Sequence, residues 1–180
     1  IGEYEDTLCE LIKFGKSNIA GLYPNSGRSL VDINKLPWPE DEDVERIEYA
    51  TPGEPSSEYR EIQAYASRGC LGNCTFCVAR NIYYRKPAWR MRSPEDVVQE
   101  IEHLSRKYPS MEGIFFDEEA HNTDKNFIRK LTGLIKEKKL DRLHYEAMCD
   151  IRFMDEEAMD LMKSAGYYKV RFGIETLSGH

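Results

Sequence analysis

The sequence predicts an α/β protein in which parallel strands alternate with crossover helices. Four short strand-like runs, at 62–67, 113–119, 143–150 and 168–176, are separated by three segments of helical periodicity. Their connections are short, as in consecutive βαβ units. Three of the runs end in reactive or polar groups: a cysteine loop after the first, Asp117, Glu118 and Glu119 after the second, and Glu175 at the fourth. Ligand chemistry collects at the C-terminal ends of parallel strands in both barrels and open sheets. Four strands do not close a barrel, and pattern alone leaves the open doubly wound sheet as an alternative.

Each element has a local reason. Leu8, Leu11, Ile12 and Phe14 in "DTLCELIKFGKS" (6–17) space as one helical face. "IAGLYPNSGRSLVD" (19–32) reads as a hairpin, two apolar runs about a turn containing Asn25 and Gly27. The Pro- and acid-rich stretch 36–61 lacks apolar periodicity and reads as a linker laid over a surface. "IQAYAS" (62–67) is a buried strand leading into the cysteines. In 93–107, Ser93 suits an N-cap and Pro94 the first helical position, with Val97, Val98, Ile101 and Leu104 on one face. "GIFFDEE" (113–119) is an apolar run ending in acids. Phe127, Ile128, Leu131, Leu134 and Ile135 repeat the helical spacing in 126–139, whose terminal lysines suit the helix dipole. "LHYEAMCD" (143–150) is a strand, and 155–166 a helix capped by Asp155 and stopped by Gly166. "YKVRFGIET" (168–176) closes the series.

The 180 residues are 41% hydrophobic, enough for a sizeable core, and no apolar run is long enough for a membrane span. The chain opens "IGEYEDTLCELIKF", without an initiator Met or a basic secretory leader, and ends on a strand-like run, so a fragment of a longer protein is expected. Five cysteines, an odd count without a leader, point to a reducing, cytoplasmic setting where thiols serve metals or catalysis. The net charge of -7 resides in residues 1–60, which hold 13 acids and 6 bases, whereas 61–180 hold 19 of each. Such a balance lacks the bias that nucleic-acid binding requires. "YYRKPAWRMR" (83–92) interleaves cations with aromatics, but a loop with snorkelling cations is favoured over an RNA-binding face.

The dense motif is "RGCLGNCTFC", with Cys70, Cys74 and Cys77 spaced C-x3-C-x2-C and Gly69 and Gly72 letting the loop curl. Three thiolates can converge on one cluster; on a [4Fe-4S] cube they would leave one iron open to a substrate or cofactor. A zinc site completed by Cys149, a disulfide with one free thiol, and unrelated buried cysteines are the alternatives.

The loop resembles that of the radical S-adenosylmethionine (SAM) superfamily, whose CxxxCxφC motif has an aromatic at φ, here Phe76. "WRMRSPEDVVQEIEHL", "GIFFDEEAHNTDKNF", "MDEEAMDLMKSAG" and "VRFGIET" resemble successive barrel segments of the subgroup with an N-terminal cobalamin-binding domain. "GEYEDTLCELI" resembles the last helix of that Rossmann-like domain, and 20–40 the hairpin and linker that follow it. The resemblance implies a partial (βα)6 TIM-like barrel of which the first four βα units are present. It divides the chain into a cobalamin-domain tail at 1–35, a linker at 36–61 and the radical SAM core at 62–180. It implies that Cys70, Cys74 and Cys77 ligate three irons and SAM the fourth, that a 5'-deoxyadenosyl radical results, and that the commonest outcome is cobalamin-dependent methyl transfer to an unactivated carbon.

By the same resemblance, the Phe76 backbone touches adenine and Glu175 accepts from the ribose hydroxyls. Asp117, Glu118 and Glu119 stand where the family has a GGE-type motif for the SAM amino group, a departure from its glycines. The implied partners are a small-molecule or peptide substrate and an electron donor such as flavodoxin or ferredoxin, with neither membrane nor nucleic acid expected. Two alternatives remain: a tRNA methylthiotransferase, which would need more upstream cysteines than Cys9 and a basic RNA module, and a non-catalytic zinc module. Capping of the next helix competes as a role for Glu118 and Glu119. His121 is expected exposed, His144 structural and Cys149 an inert buried thiol.

Overall fold

The computed structural model describes residues 3–15, 17–39, 43–50, 52–53 and 57–175. The chain forms two compact units, Ile1–Leu36 with Gly69–Arg90, and Pro37–Arg68 with Met91–His180.

The second unit carries the parallel sheet. In chain order the strands are β1 (Glu61–Ala64), β2 (Ser67–Cys70), β3 (Ala88–Met91), β4 (Gly113–Phe116), β5 (His144–Cys149) and β6 (Tyr167–Phe172); β1, β4, β5 and β6 form that sheet, and β2 pairs with β3. The sheet order β1-β4-β5-β6 follows chain order with every neighbour parallel. The order never reverses, so the sheet has no topological switch point, and among the two architectures left open it is the barrel type that fits. The expected strand 168–176 starts at Tyr167 and ends at Phe172; Thr176 lies outside the described residues.

Three helices supply the crossovers. Ahead of them lies α1 (Glu5–Phe14), in the first unit. Helix α2 (Pro94–Lys107) begins as expected, with Asp96 N–H donating to Ser93 Oγ at 3.2 Å. Helix α3 (Lys125–Glu137) is capped by Asp124, whose Oδ1 accepts from Phe127 N–H at 2.8 Å, and α4 (Glu156–Ser164) by Asp155, which accepts from Ala158 N–H at 2.9 Å. Gly166 follows α4 at φ +95°, where a Cβ would stand 2.6 Å from the Leu143 carbonyl oxygen, so only glycine turns the chain into β6.

The apolar faces meet in one core. Ile62, Ala64, Ile114, Phe116, Tyr145, Ala147 and Cys149 pack against Val97, Ile101, Leu104, Ile128, Leu131, Ile135 and Met162. Alternation along the strands sends Glu61, Phe115, Glu146, Lys169 and Arg171 to the other face.

Two expectations change. No strand forms over 19–32: Asn25 Nδ2 donates to the Ser17 and Ile19 carbonyls at 2.8 and 3.0 Å, and Arg28 Nε to that of Ala20 at 3.1 Å. Side chains thus take the carbonyls a ladder would use. The stretch 36–61 is also more than a surface linker: a 3-10 turn at Arg46–Tyr49 buries Ile47, which joins Ala50 in the core. Among the described residues no helix is long and apolar enough to cross a membrane.

Leu131 is fully buried at the centre of the helix layer. Leu131→Ala is expected to lower stability by about 3 kcal/mol. Urea unfolding reads this as a lower midpoint at unchanged slope.

Candidate active site

The cysteine loop belongs to the first unit. Cys70 and Cys77 are half-buried, Cys74 is exposed, and all three are free thiols. At the loop's entry Gly69 has φ +92°, and a Cβ there would lie 2.1 Å from the Ala88 carbonyl oxygen; the backbones can approach only because it is glycine. Gly72 N–H donates to Cys70 Sγ at 3.1 Å, and Cys77 N–H to the Cys74 carbonyl at 3.2 Å. Asn81, in the wide helical turn Ala79–Tyr84, gives its side-chain amide to the carbonyls of Cys74, Thr75 and Cys77 at 3.3, 2.8 and 2.7 Å. Arg80 braces it, donating to Asn81 Oδ1 at 2.9 Å and Asn73 Oδ1 at 2.6 Å. Phe76 is exposed, as are Leu71 and Val78.

Among the described residues no three His, Cys, Asp or Glu side chains converge on the volume of one metal ion. The donor set is nonetheless all thiol, carried by one eight-residue loop, with a backbone N–H already directed at a sulfur. Those features fit an iron-sulfur cluster, whose irons take thiolate ligands and whose charge N–H···S bonds stabilise. Cys149 differs from them. It is buried in the second unit, and burial first, then the charges of Glu118 and Asp150, push its thiol up to about 12. A metal-free thiol so protonated is unreactive, as expected of an inert buried cysteine.

The acids after β4 divide by burial. Asp117 and Glu119 are exposed. Glu118 is buried, and both its oxygens are engaged: one accepts from Ser67 N–H, the other binds His121 Nδ1. His121 is fully buried rather than exposed, stacked on Phe116 with ring centroids 4.4 Å apart, and its Nε2 meets the Tyr167 hydroxyl at 2.8 Å. Burial keeps that phenol protonated, its pKa raised well above the ordinary value. Neither Glu118 nor Glu119 caps α3, since Asp124 does. His144 is structural, stacked on Tyr59 with centroids 3.5 Å apart. Glu175 is exposed beyond β6, its carboxylate folded back over Gly173.

The stretch 83–92 is less basic in effect than it reads. Arg90 pairs with Glu3 at 2.6 Å, and Arg92, only 2% exposed, pairs with Asp96 and Glu100, each at 2.6 Å. Two of its four cations are therefore spent inside their units.

A charged cluster on the sheet face opposite the helices escaped the sequence reading. Glu146, fully buried, accepts from Ser57 Oγ at 3.2 Å and Tyr168 OH at 3.1 Å, pairs with Lys169 at 3.6 Å, and binds Arg171 Nε. Arg171 also lies 4.7 Å from the Phe115 ring centroid. Glu61 joins them from β1, buried, with neither oxygen in a well-formed hydrogen bond. Burial raises its pKa to about 7, tempered by the Tyr168 and Ser57 hydroxyls and augmented by the Glu146 charge. The available signal was alternation: Glu146 inside an apolar strand, and Lys169 and Arg171 two apart.

The family described as the Radical SAM superfamily matches residues 65–179. The cytidylyl-2-hydroxyethylphosphonate methyltransferase of Streptomyces wedmorensis is 38% identical over 114 residues, covering 63% of this chain and 21% of that protein. A methyltransferase of Pyrococcus horikoshii, described as uncharacterized, is 28% identical over 147 residues, 82% of this chain and 30% of its own. Among solved structures, the radical SAM methyltransferase TsrM from Kitasatospora setae, with cobalamin and a [4Fe-4S] cluster bound, superposes with TM-score 0.61 at 22% identity, over 75% of this chain and 23% of that one. The family match covers the cysteine loop and the strands β4, β5 and β6. The chain belongs to the radical SAM superfamily. It spans between a fifth and a third of the length of the curated relatives it matches.

The Glu61 carboxyl titrates higher folded, at about 7, than its ordinary 4.5. Between those values the folded state binds the extra proton, so stability falls as pH rises from about 4.5 to about 7 and then levels off. Glu61→Gln is expected to remove this component and to be the more stable form at pH above 7, in urea midpoints measured across that range.

Proposed function

We propose that this chain is the N-terminal part of a radical SAM core, in which Cys70, Cys74 and Cys77 hold a [4Fe-4S] cluster whose fourth iron is left to SAM. The observation that carries the reading is the C-x3-C-x2-C loop, all thiol and glycine-hinged, inside the segment that matches the family. Held there by Cys70, Cys74 and Cys77 and reduced by an external donor, the cluster would supply the one electron that cleaves SAM to methionine and a 5'-deoxyadenosyl radical.

The chain's own residues position and select. Asn81 fixes the loop backbone. Asp117 offers an exposed carboxylate to the SAM ammonium and Glu119 is exposed beside it, whereas Glu118 is buried and bound to Ser67 N–H and His121. Glu175 accepts from ribose hydroxyls, and the Phe76 backbone meets adenine. We assign 1–35 to the tail of a cobalamin-binding domain and 36–61 to the connection. The whole protein then transfers a methyl group from cobalamin to an unactivated carbon of a small-molecule or peptide substrate, drawing electrons from a flavodoxin- or ferredoxin-type donor. The methyltransferase descriptions of the two curated relatives support this.

Full-length protein reconstituted anaerobically is expected to bind roughly four irons per chain with a broad brown absorbance. Cys74→Ala is expected to lose both, and reductant with SAM to yield 5'-deoxyadenosine from the wild type alone. Stoichiometric zinc without colour would overturn the reading.

A further inference from the structure

The stretch that leads into the cysteine loop is held by charged side chains. Ala64, the last residue of β1, still takes a ladder bond, from Asp117 N–H at 3.0 Å. Beyond it, the Tyr65 carbonyl accepts from Arg92 Nη1 at 2.8 Å and the Ala66 carbonyl from Arg92 N–H at 2.8 Å. Ser67 N–H donates to the Glu118 carboxylate. Along three consecutive residues, the last of them three positions before Cys70, a guanidinium thus takes one carbonyl, the backbone N–H of the same arginine the next, and an anion an N–H. All these groups lie in the second unit.

Both side chains are buried and braced from behind. Arg92 is 2% exposed and paired with Glu100 and Asp96; Glu100 is held in turn by Arg46 at 2.8 Å. Glu118 is braced by His121 and, through it, by Tyr167. Charged hydrogen bonds in buried surroundings are strong and directional, and their rotamers are locked by these second partners.

We infer that Arg92 and Glu118 are positioning residues for the cluster loop, fixing the backbone of 65–67 from which the loop departs. The inference rests on the reading of that loop as the cluster site. Neither residue touches the cofactor in this role, which separates Glu118 from its neighbours Asp117 and Glu119.

The test uses full-length protein and two readouts. In the apo form, hydrogen exchange of peptides covering 64–68 is expected to accelerate about tenfold in Glu118→Ala while α2 and α3 stay protected. After anaerobic reconstitution the same variant is expected to hold less than about half the wild-type iron. Glu118→Gln keeps an acceptor for Ser67 N–H, and its amide can donate to the other His121 tautomer; it is expected to restore exchange and iron, with SAM affinity within about twofold of wild type. Arg92→Lys keeps a charge for Glu100 but shortens the reach to Tyr65 and is expected to loosen 64–68 alone.

Unchanged exchange and iron in Glu118→Ala overturn the inference. So does a Glu118→Gln protein that loads iron normally but binds SAM about tenfold more weakly, since Glu118 is then a ligand. If Glu118→Ala loses protection everywhere, Glu118→Gln decides: protected 64–68 supports the inference and exposed 64–68 overturns it. A wild type that takes up no cluster sinks the functional reading while leaving the exchange result intact.

Discussion

Parallel crossovers place α2, α3 and α4 on one face of a sheet whose strands follow chain order, and the rest of the second unit follows from that constraint. The helix-facing side is obliged to be apolar and is filled by Ile62, Ile114, Phe116, Tyr145 and Ala147. Strand alternation then sends Glu61, Glu146, Lys169 and Arg171 to the opposite face, with Phe115 between. A sheet with both faces occupied in this way is one wall of a barrel, apolar outward and polar inward. His121 and Tyr167 stay on the helix side, which is why a residue expected in solvent is instead stacked in the core.

The charges on the inward face are not equal. Glu146 is fully buried yet meets two hydroxyls, an ammonium and a guanidinium, so its desolvation is offset by donors on several sides. Glu61 is buried nearby with no well-formed hydrogen bond, and the same protein answers by raising its pKa. Burial disfavours the Glu61 charge by more than the Tyr168 and Ser57 hydroxyls and Lys169 offset. The contrast marks Glu61 as strained by its surroundings and Glu146 as the centre that orders them.

Much of the fold was legible because the helices announce themselves twice, by period and by cap. Ser93, Asp124 and Asp155 each accept from a backbone N–H three residues on, and two of them were readable as caps from sequence. The stretch 19–32 was misread because turn residues flanked by apolar runs look alike whether carbonyls go to a partner strand or to Asn25 and Arg28. The site was partly legible. Three cysteines declare themselves by spacing, but the division of labour among Asp117, Glu118 and Glu119 depends on which carboxylate turns inward. Adjacent residues of like charge carry no such information. Arg92 was hidden for the same reason: a basic, aromatic stretch gives no sign of which cation is paired with acids a helical turn or two away.

Asn81 shows how one neutral side chain can organise the backbone of the cysteine loop. Its single amide collects the carbonyls of Cys74, Thr75 and Cys77. In a trans peptide the C=O and the following N–H point in opposite directions. Drawing those three carbonyls to one side therefore turns the N–H groups of Thr75, Phe76 and Val78 to the other. An array of N–H groups on one side of a tight turn favours negative charge there, as in backbone anion nests. Separately, the Gly72 N–H donates to Cys70 Sγ. The sequence "GCLGNCTFCVARN" thus carries both the three thiols and, in its last residue, the group that orients the backbone around them.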